Sequence, residues 1–153
     1  MDQVWIRLNN GWAPTADGGY GFGWALWQPK YNATHWPHDD LETGFAYYVC
    51  ERNKPGGRVV TARATVEDAV PPTEVASPEE AYRLVAEHLF DGKFSIRREE
   101  WHAHHYNLAK ANSPWPQLVT AWRSTIEPVG PYALKCLDRF PRTGWLRTEE
   151  IAM

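Results

Sequence analysis

An α+β domain around a curved, mostly antiparallel β-sheet with two to three packed helices is predicted by three features of the sequence. Residues 44–50, "GFAYYVC", and 58–70, "RVVTARATVEDAV", read as two strands joined through the turn "KPGG" at 54–57. Residues 77–92, "SPEEAYRLVAEHLFDG", carry the start, stripe and stop of an amphipathic helix. Strand-like segments precede that helix and return near residue 117, an order that packs helices against one sheet.

Each element has its own signal. "VWIRL" (4–8) is an apolar run suited to a first strand, ending at Asn9, Asn10 and Gly11. Residues 11–22 hold the Gly, Pro and Asp of a loop, "GWALW" (23–27) reads as a short strand, and a further loop passes through Pro29 and Pro37. The 44–50 segment is apolar on both faces, as a central strand is. In the next strand Val60, Ala62, Ala64 and Val66 fall on one face, and Thr61, Arg63, Thr65 and Glu67 on the other.

Ser77 suits an N-cap, Pro78 the first helical position, and Glu80 the far side of a capping box. Ala81, Leu84, Val85, His88 and Leu89 form the expected buried stripe, and Gly92 ends the helix. A second helix is expected over 95–111, with Ile96, Trp101, Leu108 and either His104 or His105 on one side. Residues 117–129 read as a long strand, 131–140 as a short helix, and "TGWLRTEEI" (143–151) closes the chain.

The chain of 153 residues suits one domain, 1–153, with enough apolar content (43%) to bury a core. Its formal net charge of −3 supplies no global field for a polyanion. The basic side chains at 135–147 still offer a local patch, and arginine, which outnumbers lysine, is the better fork for phosphate. Cys50 and Cys136 make no disulfide framework and no CxxC occurs, which suits a reducing compartment. The N-terminus lacks a basic region followed by an apolar one, so no signal peptide is expected. No apolar run is long enough to span a bilayer, and the expected location is the cytoplasm.

Catalytic signatures are scarce. In "WHAHHYN", His102 and His105 share a helix face, but a zinc site needs three or four ligands and HExxH is absent. "THWPHDD" (34–40) could lend His35, His38, Asp39 and Asp40 to a metal, although a polar loop is the simpler reading. An HNH nuclease needs histidines after His105, and there are none. There is no GxSxG, both cysteines fall at apolar positions where thiols are usually inert, and "GGYGFG" lacks GK[ST]. These absences favour a binding protein without catalysis, cofactor or metal over an enzyme.

The aromatic residues are the positive signal. Residues 23–36, "GWALWQPKYNATHW", interleave Trp24, Trp27 and Trp36 with Gln28, Lys30 and Asn32, and Asn9 lies in an adjoining loop. Core packing accounts for some of these tryptophans. As a group they also meet the needs of a pocket for a planar heterocycle: flat walls for stacking, amides for the edge, and a cation at the rim.

The stretch "GFAYYVCERNKPGGRVVTARATVEDAVPPTEV" resembles EVE-type domains of the PUA-like superfamily, which are related to YTH domains. There an aromatic strand precedes a glycine turn and a strand of the type "GGivGiaeVv" leading into "a.pdpT". The matching residues are Tyr47, Tyr48, Gly56, Gly57, Val59, Val60, Val66, Pro71, Pro72 and Thr73. "VWIRLNN" is similar to the family's first strand, and "GWALWQPKYN" occupies the place of its tryptophan-bearing pocket segment. The likeness covers residues 4–73 by motif and 117–151 in outline.

What the resemblance implies is a reader that flips a modified base, foremost a modified cytosine in DNA rather than RNA, into an aromatic cage. Relatives of this group occur fused to nucleases, so a nuclease domain or subunit is an expected partner. On that reading Trp24, Trp27, Trp36 and Tyr47 stack the base, and Asn9, Gln28 and Asn32 read its edge. Lys30, Arg63, Arg123, Arg142 and Arg147 hold the backbone, subject to the face they share. The rival readings are a small-ligand or protein-binding module without nucleic acid, and a metal-dependent hydrolase using His35, His38 and the 102–105 histidines.

Overall fold

The computed structural model describes residues 4–8, 20–31, 37–54, 57–92, 95–133 and 145–148. The strands are β1 (Val4–Leu8), β2 (Tyr20–Trp27), β3 (Ala46–Lys54), β4 (Gly57–Val75), β5 (Gln117–Ala133) and β6 (Trp145–Thr148). The helices are α1 (Pro78–Leu89), α2 (Arg98–Ala103) and α3 (His105–Ala111). The described strands form one mixed sheet in the order β2-β5-β4-β3-β1-β6. Only the β1–β3 pairing is parallel among them, so the sheet is mostly antiparallel as expected. Among the described residues, no helix is long and apolar enough to cross a membrane.

The hairpin forms where the alternation placed it, with Tyr47 opposite Ala64 and Tyr48 opposite Arg63. Val60, Ala62, Ala64 and Val66 are all buried on one face of β4. The strand then runs on to Val75, past the expected end at residue 70. Register shifts between Val66 and Asp68 and between Val70 and Thr73 carry it further. A bulge of this kind bends a strand and turns later side chains to the other face. Val66 accordingly belongs to one buried cluster and Val70 to another.

Two cores result, one on each face. The first lies beneath the helices and gathers Phe22, Trp24 and Leu26 of β2, Val119 and Ala121 of β5, Ala81, Val85 and Leu89 of α1, and Trp101 of α2. The second lines the opposite, concave face with Leu41, Tyr47, Val49, Ala62, Ala64, Val66, Trp122 and Trp145. Trp122 of β5 and Trp145 of the edge strand β6 have ring centroids 5.7 Å apart, although β4, β3 and β1 lie between their strands in the sheet. Only a strongly curled sheet brings these rings together across its interior.

The first helix is capped as its sequence dictates: the Glu80 N–H donates to Ser77 Oγ (3.2 Å), and Glu80 Oε2 accepts from the Ala76 N–H (2.9 Å). His88 departs from the expected stripe. It is exposed, with Nδ1 2.8 Å from the Leu84 carbonyl, in the last turn where the helix dipole favours a basic side chain.

The single helix expected over 95–111 is instead two short ones. His104 has extended backbone (φ −61°, ψ 132°), ends α2, and accepts the Tyr106 N–H on Nδ1 at 3.2 Å to cap α3. A continuous helix would bury Leu108, which is 50% exposed; the break turns Tyr106 and Asn107 toward β2 instead. The expected helix at 131–140 is also displaced at its start, because β5 continues to Ala133 and pairs it with Val59. The remainder of that segment lies outside the described residues.

Candidate functional site

The concave face is built from aromatic side chains supplied by five strands. Arg7 of β1 sits opposite Trp145 of β6, and Trp5, two residues earlier, shares its face by strand alternation. Trp145 meets Trp5 edge-on (centroids 6.2 Å, 89°) and Tyr47 at 5.2 Å. Trp122 lies across β2, where Gly23 is its partner in the register. Tyr47 and Ser124 share a hydrogen bond of 2.9 Å between their hydroxyls, which ties β3 to β5 within the cup.

Arg7 is the unusual member. It is 5% exposed, and its guanidinium carbon lies 4.7 Å from the Trp122 ring centroid and 5.2 Å from that of Trp145. Cation–π attraction of this kind is favourable. Nε, however, is buried without a hydrogen-bond partner, and among the described residues no carboxylate pairs with the guanidinium. Burial pulls the Arg7 pKa down to about 10, against weak opposing effects of Tyr47 and Tyr106. The folded value is below the unfolded one, so at neutral pH, where both states are charged, the fold bears a cost of about 3 kcal/mol.

Trp122 adds a second buried donor, since Nε1 makes no hydrogen bond. It lies near enough to the Tyr47 hydroxyl to favour the phenolate, yet outside hydrogen-bond geometry. The dominant effect on Tyr47 is burial, which raises its pKa and keeps the phenol protonated. Two donors of the cup, Arg7 Nε and Trp122 Nε1, are thus buried without a hydrogen-bond partner.

Trp27 and Gln28 stand at the end of β2, both half-buried, and Trp27 meets His38 edge-on at 5.8 Å. His38 in turn lies 3.2 Å from the Asp39 carboxylate. Lys30 is exposed, with its ammonium 5.3 Å from the Tyr31 ring centroid.

Of the residues singled out from sequence, Trp27 and Tyr47 belong to the concave face. Trp24 does not. It is 7% exposed in the helix-side core, packs on Trp101 at 4.9 Å and donates Nε1–H to Asn107 Oδ1 at 2.7 Å. Neither Arg63 nor Arg123 faces the cup. Arg63 projects away from the cup, where it pairs with Glu127 at 3.6 Å. With Thr65, Thr125, Ile126 and Glu127 it lines a shallow groove of about 300 Å³.

Arg123 is turned inward, donating to the Leu89 carbonyl (2.7 Å) and Asp91 (2.8 Å) at the C-terminal end of α1, with Glu67 at 3.4 Å. Its charge is used by the helix end and two acids, not presented to a phosphate. Asn9, Asn32, Trp36 and Arg142 lie outside the described residues, as does the side chain of Arg147.

Arg7, Trp5, Trp122 and Trp145 were not singled out from sequence. One signal for Arg7 was present: an arginine inside "VWIRL", on the same strand face as a tryptophan and flanked by apolar residues. The tryptophans give no such signal, because only the curl of the sheet brings strands β1, β5 and β6 together.

The histidines of the 102–105 segment serve the helices. His102 Nε2 lies 2.9 Å from Glu79 Oε2, which also accepts from Arg98 Nε at 2.8 Å; these two hydrogen bonds hold the Glu79 carboxyl below its usual range. His104 and His105 stack at 4.5 Å. Among the described residues no group of three or more His, Cys, Asp or Glu side chains is placed to hold a metal ion. Cys50 is a buried thiol on β3. Neither a protein-family model, nor a curated protein, nor a solved structure matches this chain.

Proposed function

We propose that the chain is a nucleic-acid-binding reader of a modified base, DNA before RNA and modified cytosine first, which receives the flipped base at the concave face of its sheet. The observation that carries this reading is the convergence of Trp5, Trp27, Tyr47, Trp122 and Trp145, from five strands, on that one face. As part of the same reading we assign the fold to the PUA-like superfamily, EVE type, with which the curled mixed sheet and three helices are compatible.

The division of labour follows from burial. Tyr47, Trp122 and Trp145 are at most 2% exposed and set the shape of the cup, whereas Trp5 and Trp27 are half-buried and open to an incoming ring. Stacking on an aromatic side chain contributes about 1–3 kcal/mol per base and tolerates any base. A methyl group adds only about 0.8 kcal/mol of apolar burial, so discrimination must come from the fit of the walls. Cleavage, where it occurs, falls to a partner nuclease domain or subunit.

A titration of tryptophan fluorescence with matched duplexes tests this. The duplexes carry unmodified cytosine, 5-methylcytosine, 5-hydroxymethylcytosine or N6-methyladenine, each at low and near-physiological salt. Saturable quenching by one modified duplex, weakened by salt and by Trp27→Ala, is expected. Absence of binding to every duplex at low salt rejects the reading for DNA. The depth of Arg7 favours a second reading, in which the same cup takes a small planar ligand free in solution.

A further inference from the structure

We propose that Arg7 is the recognition point for a planar group that presents two adjacent hydrogen-bond acceptors, such as the keto edge of a nucleobase or a carboxylate. This deepens the reading above and rests on the concave face being the binding face. It does not require the ligand to be nucleic acid.

The inference begins with an imbalance. Buried polar groups in folded proteins are nearly always hydrogen-bonded, and each exception calls for a reason. Here two donors, Arg7 Nε and Trp122 Nε1, are buried without a hydrogen-bond partner, and the guanidinium lies over the Trp122 ring. Trp122 and Trp145 attract the guanidinium through their ring faces, but an aromatic ring offers no in-plane acceptor. The Tyr47 and Ser124 hydroxyls share a hydrogen bond with each other, and neither accepts from Arg7 Nε. A buried charge without an ion-pair partner is costly to hold, because its desolvation is uncompensated. Its depressed pKa points to the same missing counterpart.

Shape narrows the counterpart. The guanidinium is planar, with its donors in a fixed fork that matches two acceptors in one plane. The guanidinium itself covers the faces of Trp122 and Trp145, so a flat ligand would stack on the half-buried Trp5 or Trp27 while its edge meets the fork. Guanine presents such a pair in N7 and O6, whereas the adenine edge pairs N7 with an amino donor. A donor facing Arg7 would be repelled, so the cup should prefer keto or carboxylate edges over amino edges.

The full chain and its Arg7→Met and Arg7→Lys variants decide the matter, with guanosine, adenosine, benzoate and the duplex series as probes. Thermal melting and tryptophan quenching are the readouts. Wild type is expected to bind guanosine or benzoate about tenfold more tightly than adenosine. Arg7→Met should melt at or above the wild-type temperature and lose that binding, and Arg7→Lys, which keeps the charge without the fork, should lose it about tenfold. An Arg7→Met protein that melts lower and binds every probe as wild type does makes Arg7 a structural residue and overturns the proposal. Duplex binding unaffected by either variant leaves the base-reader reading standing and removes this one. Guanosine or benzoate binding that Arg7→Met abolishes, with no duplex bound, does the reverse. If no probe binds wild type, this proposal and the reading for DNA both fall.

Discussion

Gly23 of β2 lies directly opposite Trp122 of β5, and the indole fills the space a side chain at position 23 would need. A Cβ there would stand 2.3 Å from Trp122 Cζ2 and 2.6 Å from Cε2. Trp122 is fully buried, so it cannot swing into solvent. Gly23→Ala is therefore expected to destabilise the fold by about 1–3 kcal/mol or more, the range for overpacked cores. Urea unfolding measures it. Adding Trp122→Phe should recover part of the loss, and additive effects would show that the two positions are not in contact.

Trp24 and Trp27 are three residues apart on one strand and should behave differently. Trp24→Phe leaves Asn107 Oδ1 buried without its donor, a cost of about 1–3 kcal/mol. Its effect should appear in stability, with ligand affinity unchanged in the folded protein. Trp27→Ala, at the half-buried rim, should show the larger effect on quenching by any bound ligand and the smaller effect on melting. Measuring melting and titration on both variants separates the two faces of β2. A Trp24 variant that binds weakly while melting normally would return Trp24 to the binding face.

An edge strand exposes unpaired backbone groups, and β2 is one of the two edges of the described sheet. The Tyr106 hydroxyl covers part of it, accepting from the Leu26 N–H (2.9 Å) and donating to the Leu26 carbonyl (3.2 Å). One hydroxyl thus takes the place of a neighbouring strand. Tyr106→Phe should cost about 1–3 kcal/mol by leaving these groups unsatisfied. Hydrogen exchange at the Leu26 amide should accelerate more than at Ala121, which lies inside the sheet. Equal protection at Leu26 in variant and wild type would mean that the hydroxyl contributes nothing to the edge.

Local signals were legible in the sequence where a short segment determines its own structure. Ser77, Pro78 and Glu80 set the start of α1 within four residues, and the 44–70 hairpin follows from alternation and one turn. What was illegible depends on distant strands. Trp24 and Trp27 look equivalent in "GWALW", yet odd and even positions of β2 face different cores. Arg123 sits on the long strand expected at 117–129, but its fate is decided by where α1 ends. The cup needs the curl that brings Trp145 to Trp122, and no local pattern encodes that contact. His104 was misread for a related reason: helical spacing across 95–111 hides a residue whose side chain makes it a cap rather than a rung.

That cap should make the fold sensitive to mild acid. His104 Nδ1 accepts the Tyr106 N–H, which requires the ring nitrogen to be unprotonated. Burial lowers the His104 pKa below its ordinary 6.5, and the neighbouring His105 lowers it further. The folded state thus favours the neutral ring, while the unfolded chain takes up a proton near its ordinary value. The contribution is fully present above about pH 6.5 and is lost as pH falls through the lowered folded value. His104→Asn keeps an acceptor suited to an N-cap but removes the titration. Melting temperatures from pH 8 to pH 5 should decline less in this variant than in wild type, since the remaining histidines are common to both. Parallel curves would place the acid sensitivity elsewhere and leave His104 as a cap indifferent to its protonation.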